Sequence, residues 1–79
     1  MASEMERLID RLRMADQHIA LGLEHIATIE KNMTELPREG FDAACAKELL
    51  VTLRETQGIH EADRKSVLRQ IEDLWNSEF

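Results

Sequence analysis

A seven-residue apolar repeat runs through the first half of this 79-residue chain. Beginning at residue 5 and advancing alternately by three and four residues, each step meets a nonpolar side chain or glycine. The stripe comprises Met5, Leu8, Leu12, Ala15, Ile19, Gly22, Ile26, Ile29, Met33 and Leu36. This spacing keeps one face of a helix against a neighbouring helix, as in knobs-into-holes packing. The chain is therefore predicted to fold by packing helices on helices.

The boundaries of the first helix are marked at both ends. Ser3 and Glu6 have the spacing of a capping box, which begins a helix by satisfying its first amides. Pro37 pushes Leu36 out of the helical conformation, so the helix is expected to end near residue 35. The sequence predicts a first helix over residues 3–35, followed by a tight turn.

The second helix is predicted to cover residues 42–76, with Asp42 as its N-cap. Gly58 lies inside it and costs about 1 kcal/mol relative to alanine, which alone does not end a helix. Because no new start signal follows, a continuous helix is favoured, with a local bend at Gly58 left open. The expected fold is all-α: a single domain over residues 1–79 that forms an antiparallel two-helix hairpin.

The stripe of the second helix is apolar at its ends and polar in its middle. It comprises Ala46, Leu50, Leu53, Gln57, His60, Arg64, Val67, Ile71 and Leu74. In an antiparallel hairpin, residues whose numbers sum to about 78 lie level with one another, so small residues of the first helix face this polar middle. We predict a central polar layer built from His18, Gln57, His60 and Arg64 against Gly22, bordered by Asp16, Glu24, His25 and Asp63.

Three interpretations of this polar layer remain open. It can fix the register and the oligomeric state, as a buried polar residue does in coiled coils. It can face solvent, or it can bind a ligand or a metal ion. For a metal, His18, His60 and Asp63 are the candidates, but Arg64 opposes a cation and the Glu-x-x-His pairs of di-iron bundles are absent. No metal or cofactor is therefore predicted.

More apolar surface is present than one hairpin can bury. Ile9 and Leu23 flank the first stripe, and several large apolar residues widen the second. Such a patch is large for a soluble monomer. We predict a homodimer in which two hairpins form a four-helix bundle, with higher assemblies as an alternative. Cys45, between two alanines, is expected to be a small buried residue.

Composition narrows the class of function. The formal net charge is −6, and the only basic cluster, Arg7, Arg11 and Arg13, is interleaved with Glu6 and Asp10. Both features disfavour direct binding to nucleic acid. A lone cysteine and the lack of an export signal indicate the cytoplasm, and no apolar run is long enough to span a membrane. Neither a nucleophile with a base at a recognisable spacing nor a Gly-rich phosphate loop is present, so an enzyme is not expected.

Two segments carry a family resemblance. Residues 18–26, HIALGLEHI, and residues 55–64, ETQGIHEADR, resemble segments of small uncharacterised helical proteins common in alphaproteobacteria. The similarity extends over about residues 11–74 and implies a continuous second helix. It implies no established activity and therefore no catalytic residue.

The sequence is most typical of a protein–protein interaction or scaffold module that acts as a homo-oligomer. Its partners would be a second copy of the chain and, beyond that, another protein. Two alternatives stay open: a metal or small-ligand sensor that uses the histidine layer, and an acidic regulator of a basic, DNA-binding partner.

Overall fold

The computed structural model describes residues 2–35 and 43–78, which form two long helices packed side by side. Helix α1 spans Glu4–Glu35 and helix α2 spans Ala43–Glu78. The predicted antiparallel hairpin is confirmed, with boundaries within two residues of those expected. The predicted turn after Pro37 and the N-cap Asp42 lie outside the described residues. The molecule is a rod of 61 × 19 × 17 Å.

Helix α1 begins at the predicted signal. The amide of Glu6 donates a hydrogen bond to Ser3 Oγ at 3.1 Å, and the amide of Arg7 donates to the Ser3 carbonyl at 3.0 Å. Glu4 and Glu6 occupy the first turn, where their negative charge interacts favourably with the helix dipole. The serine thus satisfies two of the four amides that a helix start leaves without a partner.

The two stripes face each other over the full length of the hairpin. In α1 all nine stripe positions from Met5 to Met33 are buried or half-buried, and Asn32 alone joins them. In α2 all nine stripe positions from Ala46 to Leu74 are buried or half-buried, and every other residue of that helix is exposed. The 3–4 spacing therefore predicted correctly which side of each helix packs on the other.

The core of a single hairpin is small. Among the described residues, the buried apolar side chains are Leu8, Ala15, Leu50 and Val67. The chain exposes 6235 Å², whereas a compact protein of this mass exposes about 4,900 Å². Within residues 2–35 and 43–78, neither helix has the length of apolar sequence needed to cross a bilayer.

Helix α2 passes through Gly58 without interruption. A Cβ atom added at Gly58 meets no other atom within 4 Å, so packing does not require a glycine there. The residue is tolerated because the seam on either side of it outweighs its low helix propensity.

We expect Gly58→Ala to raise the free energy of unfolding by about 0.5–1 kcal/mol, because alanine loses less backbone entropy in a helix. Urea unfolding followed by circular dichroism, at equal protein concentrations, measures this difference. A decrease in stability would contradict the open surroundings of residue 58.

Candidate functional site

Gln57 lies in the middle of the seam and is the one buried polar residue of the described chain, with 6% of its surface exposed. Its Nε2 donates a hydrogen bond to the Ile19 carbonyl of α1 at 2.8 Å. Its Oε1 occupies the space that a Cβ on residue 22 would need, so the amide fits only because that residue is Gly22. The Gln57 side chain of α2 is thus packed directly against the backbone of α1.

The Oε1 atom of Gln57 is buried and accepts no conventional hydrogen bond from the described residues. Because it lies where a Cβ would stand, a Cα–H bond of Gly22 points towards it, and such C–H···O contacts are weakly attractive. Exchanging the amide nitrogen and oxygen would remove the bond to Ile19, so the observed orientation is the favourable one.

His18 and His60 meet across the two helices beside this amide. Their ring centroids are 4.8 Å apart and the ring planes are inclined by 43°. His18 is exposed and His60 is half-buried. A shallow groove of about 200 Å³ borders the pair and is lined by His18, Leu21, Gly22, His25, Leu53, Thr56, Gln57 and His60.

The seam has two sides, which we name after their α1 residues. The Ile9 flank carries Ile9, Asp16, Leu23 and Glu30, spaced by seven residues, and the His18 flank carries Arg11, His18, His25 and Asn32. Contacts with α2 place Arg54, Leu68 and Trp75 on the Ile9 flank, and Leu49 and Asp63 on the His18 flank.

Ion pairs join the helices on both flanks. On the Ile9 flank, Arg64 Nε donates to Asp16 at 2.6 Å. On the same flank, an Arg54 guanidinium nitrogen lies 2.8 Å from Glu30. On the His18 flank, Arg11 lies 3.4 Å from Asp63. All six side chains are 43–59% exposed, so each pair contributes only a few tenths of a kcal/mol.

The predicted layer is therefore assembled in part. Gln57 meets Gly22 and His18 meets His60, whereas Arg64 turns to Asp16 on the other flank. Glu24 lies on the side of α1 that points away from α2 and does not border the layer as predicted.

The candidate metal set does not form a cluster in this conformation. Asp63 pairs with Arg11 rather than with the imidazoles of His18 and His60. Over residues 2–35 and 43–78, no three His, Cys, Asp or Glu side chains are grouped closely enough to hold a metal ion.

Exposed apolar side chains concentrate beside the seam. On the Ile9 flank a groove of about 810 Å³ is formed by Met5, Ile9, Leu68, Ile71, Leu74 and Trp75, with Ser3, Glu4, Glu72 and Glu78 around it. Leu23 on this flank is 55% exposed and Trp75 is 57% exposed. Trp75 lies next to the first turn of α1 but remains open to solvent on its other side.

Sequence reasoning missed the interhelical pairs of Arg11 with Asp63 and of Arg54 with Glu30. Both pairs could have been predicted from opposite charges at flank positions of the two helices that lie at roughly the same height in the hairpin. The interpretation of Cys45 as a buried residue was wrong, because it lies off the stripe and is exposed.

Comparison with protein-family models, with curated proteins and with solved structures finds no match to this chain. The chemistry at mid-hairpin is that of two imidazoles, one buried amide and exposed ion pairs. Imidazoles can bind late transition metals.

We expect Gly22→Ala to destabilise the hairpin by about 1–3 kcal/mol, because the added methyl group displaces the Gln57 amide. In the Gln57→Ala background the same change should be neutral or stabilising by up to about 1 kcal/mol, since alanine is the better helix former. Urea unfolding of the four proteins of this double-mutant cycle, at one protein concentration, measures the coupling. Equal effects of Gly22→Ala in both backgrounds would show that the two residues do not interact.

Proposed function

We propose that this chain is a helical protein–protein interaction module that works as a homodimer, two hairpins forming a four-helix bundle through their Ile9 flanks. The observation that supports this most directly is the row of exposed apolar side chains on that flank. Ile9, Leu23, Leu68 and Trp75 are 43%, 55%, 36% and 57% exposed. Apolar residues at such flanking positions are what a third and a fourth helix would cover.

The exposed area supports a second copy of the chain as the occupant. The surface exceeds that of a compact protein of the same mass by about 1,300 Å². A stable interface buries about 800 Å² on each partner, so covering one flank is enough to account for a specific dimer. Only four apolar side chains are buried among the described residues of one hairpin, and a dimer interface would enlarge this small core.

The charges of the Ile9 flank are compatible with self-association. Asp16 is paired with Arg64 and Glu30 with Arg54, so these two charged levels of the flank are neutralised within one chain. If the two-fold axis of the dimer is parallel to the hairpins, each residue of the flank lies at the same height as its counterpart in the second chain. Apolar residues then contact apolar residues, and each ion pair lies beside its own copy. At the levels of Asp16 and Glu30, like charges are then not forced together.

The biological role we propose is that of a scaffold that recruits another protein through the surface left outside the dimer. A net charge of −6 favours a basic protein partner over nucleic acid. We place this role in the cytoplasm, because a lone cysteine suits a reducing compartment. No catalytic activity is part of the proposal.

Sedimentation equilibrium at micromolar concentration is expected to give about 18 kDa, twice the 9.1 kDa of the chain. Leu23→Glu should shift the protein to a monomer, because a carboxylate would be buried at the interface. Leu21→Glu is the matched control: the same change two residues away, at a leucine of similar exposure (51% against 55%) on the other side of α1. A wild-type chain that sediments near 9 kDa, or equal dissociation by both substitutions, would contradict the proposal.

Trp75 provides a second measure of association, being the single tryptophan of the chain. Its emission maximum should move to shorter wavelength as the protein concentration rises through the dissociation constant, because the partner covers the half-exposed indole. Leu23→Glu should keep the longer-wavelength emission at all concentrations, while Leu21→Glu behaves like the wild type. An emission maximum independent of concentration, in a protein that does dimerise, would place Trp75 outside the interface.

A further inference from the structure

The His18 flank offers a different chemistry from the Ile9 flank. Two imidazoles from facing helices are in contact there, and neither takes part in the proposed dimer interface. We infer that His18 and His60 form a binding site for a divalent late transition metal ion such as Zn²⁺, bridging α1 and α2 at mid-hairpin. This inference does not depend on the proposed dimer.

The separation of the two rings fits a shared metal ion. A zinc–nitrogen bond of about 2.0–2.1 Å places each imidazole centroid about 3.2 Å from the ion. Two such rings have centroids about 4.5 Å apart for a right angle at the metal and about 5.2 Å apart for a tetrahedral angle. The observed distance between the His18 and His60 centroids is 4.8 Å. Metal binding further requires that the two rings turn about their Cβ–Cγ bonds until one nitrogen of each faces a common point.

The surroundings admit an ion and its remaining ligands. His18 is exposed and His60 is half-buried, and the open groove beside them has room for water molecules. Water occupies the open coordination position of zinc sites whose protein ligands number fewer than four. Asp63 lies one turn after His60 on the same flank, and its 3.4 Å pairing with Arg11 is long enough to be exchanged at little cost.

The guanidinium of Arg64, the positive charge closest in sequence to His60, points away from the two histidines. Arg64 shares the stripe of α2 with His60, and its guanidinium is bound to Asp16 on the Ile9 flank. The repulsion expected from the sequence is therefore reduced by a neutralising partner. The net charge of −6 further favours a cation over an anion at this position.

His25 is a histidine that the same ion cannot reach. It follows His18 by one heptad, which separates their backbones by about 10.5 Å along α1. It therefore serves as a matched control on the same helix and flank. Cys45 lies about 22 Å from His60 along α2 and is exposed, so Cys45→Ser removes a competing zinc ligand without touching the pair.

The test is a calorimetric titration of ZnCl₂ into the Cys45→Ser chain at neutral pH. We expect one zinc ion to bind per chain with micromolar affinity. The affinity should be at least about tenfold weaker after His18→Asn or His60→Asn, and it should be unchanged after His25→Asn. Zinc should also raise the midpoint of thermal unfolding by about 6–11 °C when its free concentration is tenfold above the dissociation constant. In proton NMR spectra, the ring signals of His18 and His60 should shift on zinc addition while those of His25 stay in place.

Circular dichroism of each variant without zinc checks that the helices are intact. His18→Asn changes an exposed residue, so it keeps the test valid should His60→Asn weaken the fold. The inference is overturned if no binding is detected at a zinc concentration of about 100 micromolar. It is equally overturned if His18→Asn leaves the affinity unchanged, or if His25→Asn reduces it as much. Sedimentation of the same samples reports dimerisation separately, so either proposal can fail alone.

Discussion

The contact between Gln57 and the backbone of α1 is the constraint on which the arrangement of the two helices depends. An apolar seam alone gives many contacts of similar strength, whereas this amide has one favourable place. Its nitrogen is bound to the Ile19 carbonyl and its oxygen occupies the space left by the absent side chain of Gly22. Burying an amide is unfavourable unless it is hydrogen-bonded, so the two helices are held at the level where Gln57 Nε2 reaches the Ile19 carbonyl.

That alignment gives the two sides of the seam different properties. On one side, Ile9 and Trp75 line an apolar groove bordered by Glu4, Glu72 and Glu78, and Asp16 on the same flank is paired with Arg64 within the chain. On the other side, His18 and His60 are brought together with polar groups around them. The first side is suited to covering by another helical surface, and the second to binding a small polar species. The difference between the two flanks follows from the residues that lie immediately beside the stripe on each helix.

The sequence was sufficient to predict the two helices and the side of each that is buried, because apolar residues at a 3–4 spacing lie along one side of a helix only. Gly58 did not break α2, as its propensity cost predicts. The directions of side chains at the edge of the seam were less predictable. Arg64 turned to Asp16 and Cys45 stayed exposed, because these outcomes depend on rotamers and on small lateral offsets between the helices. The homodimer remains a prediction.

The glycine beneath Gln57 also determines how the hairpin resists sliding. Heptad patterns repeat, so α2 moved along α1 by seven residues, about 10 Å, would again set most apolar residues against apolar ones. In those shifted states the Gln57 amide would face Ala15 or Ile29, whose Cβ atoms fill the space that Gly22 leaves empty. One missing methyl group therefore excludes the neighbouring registers and leaves a repetitive sequence with a single alignment.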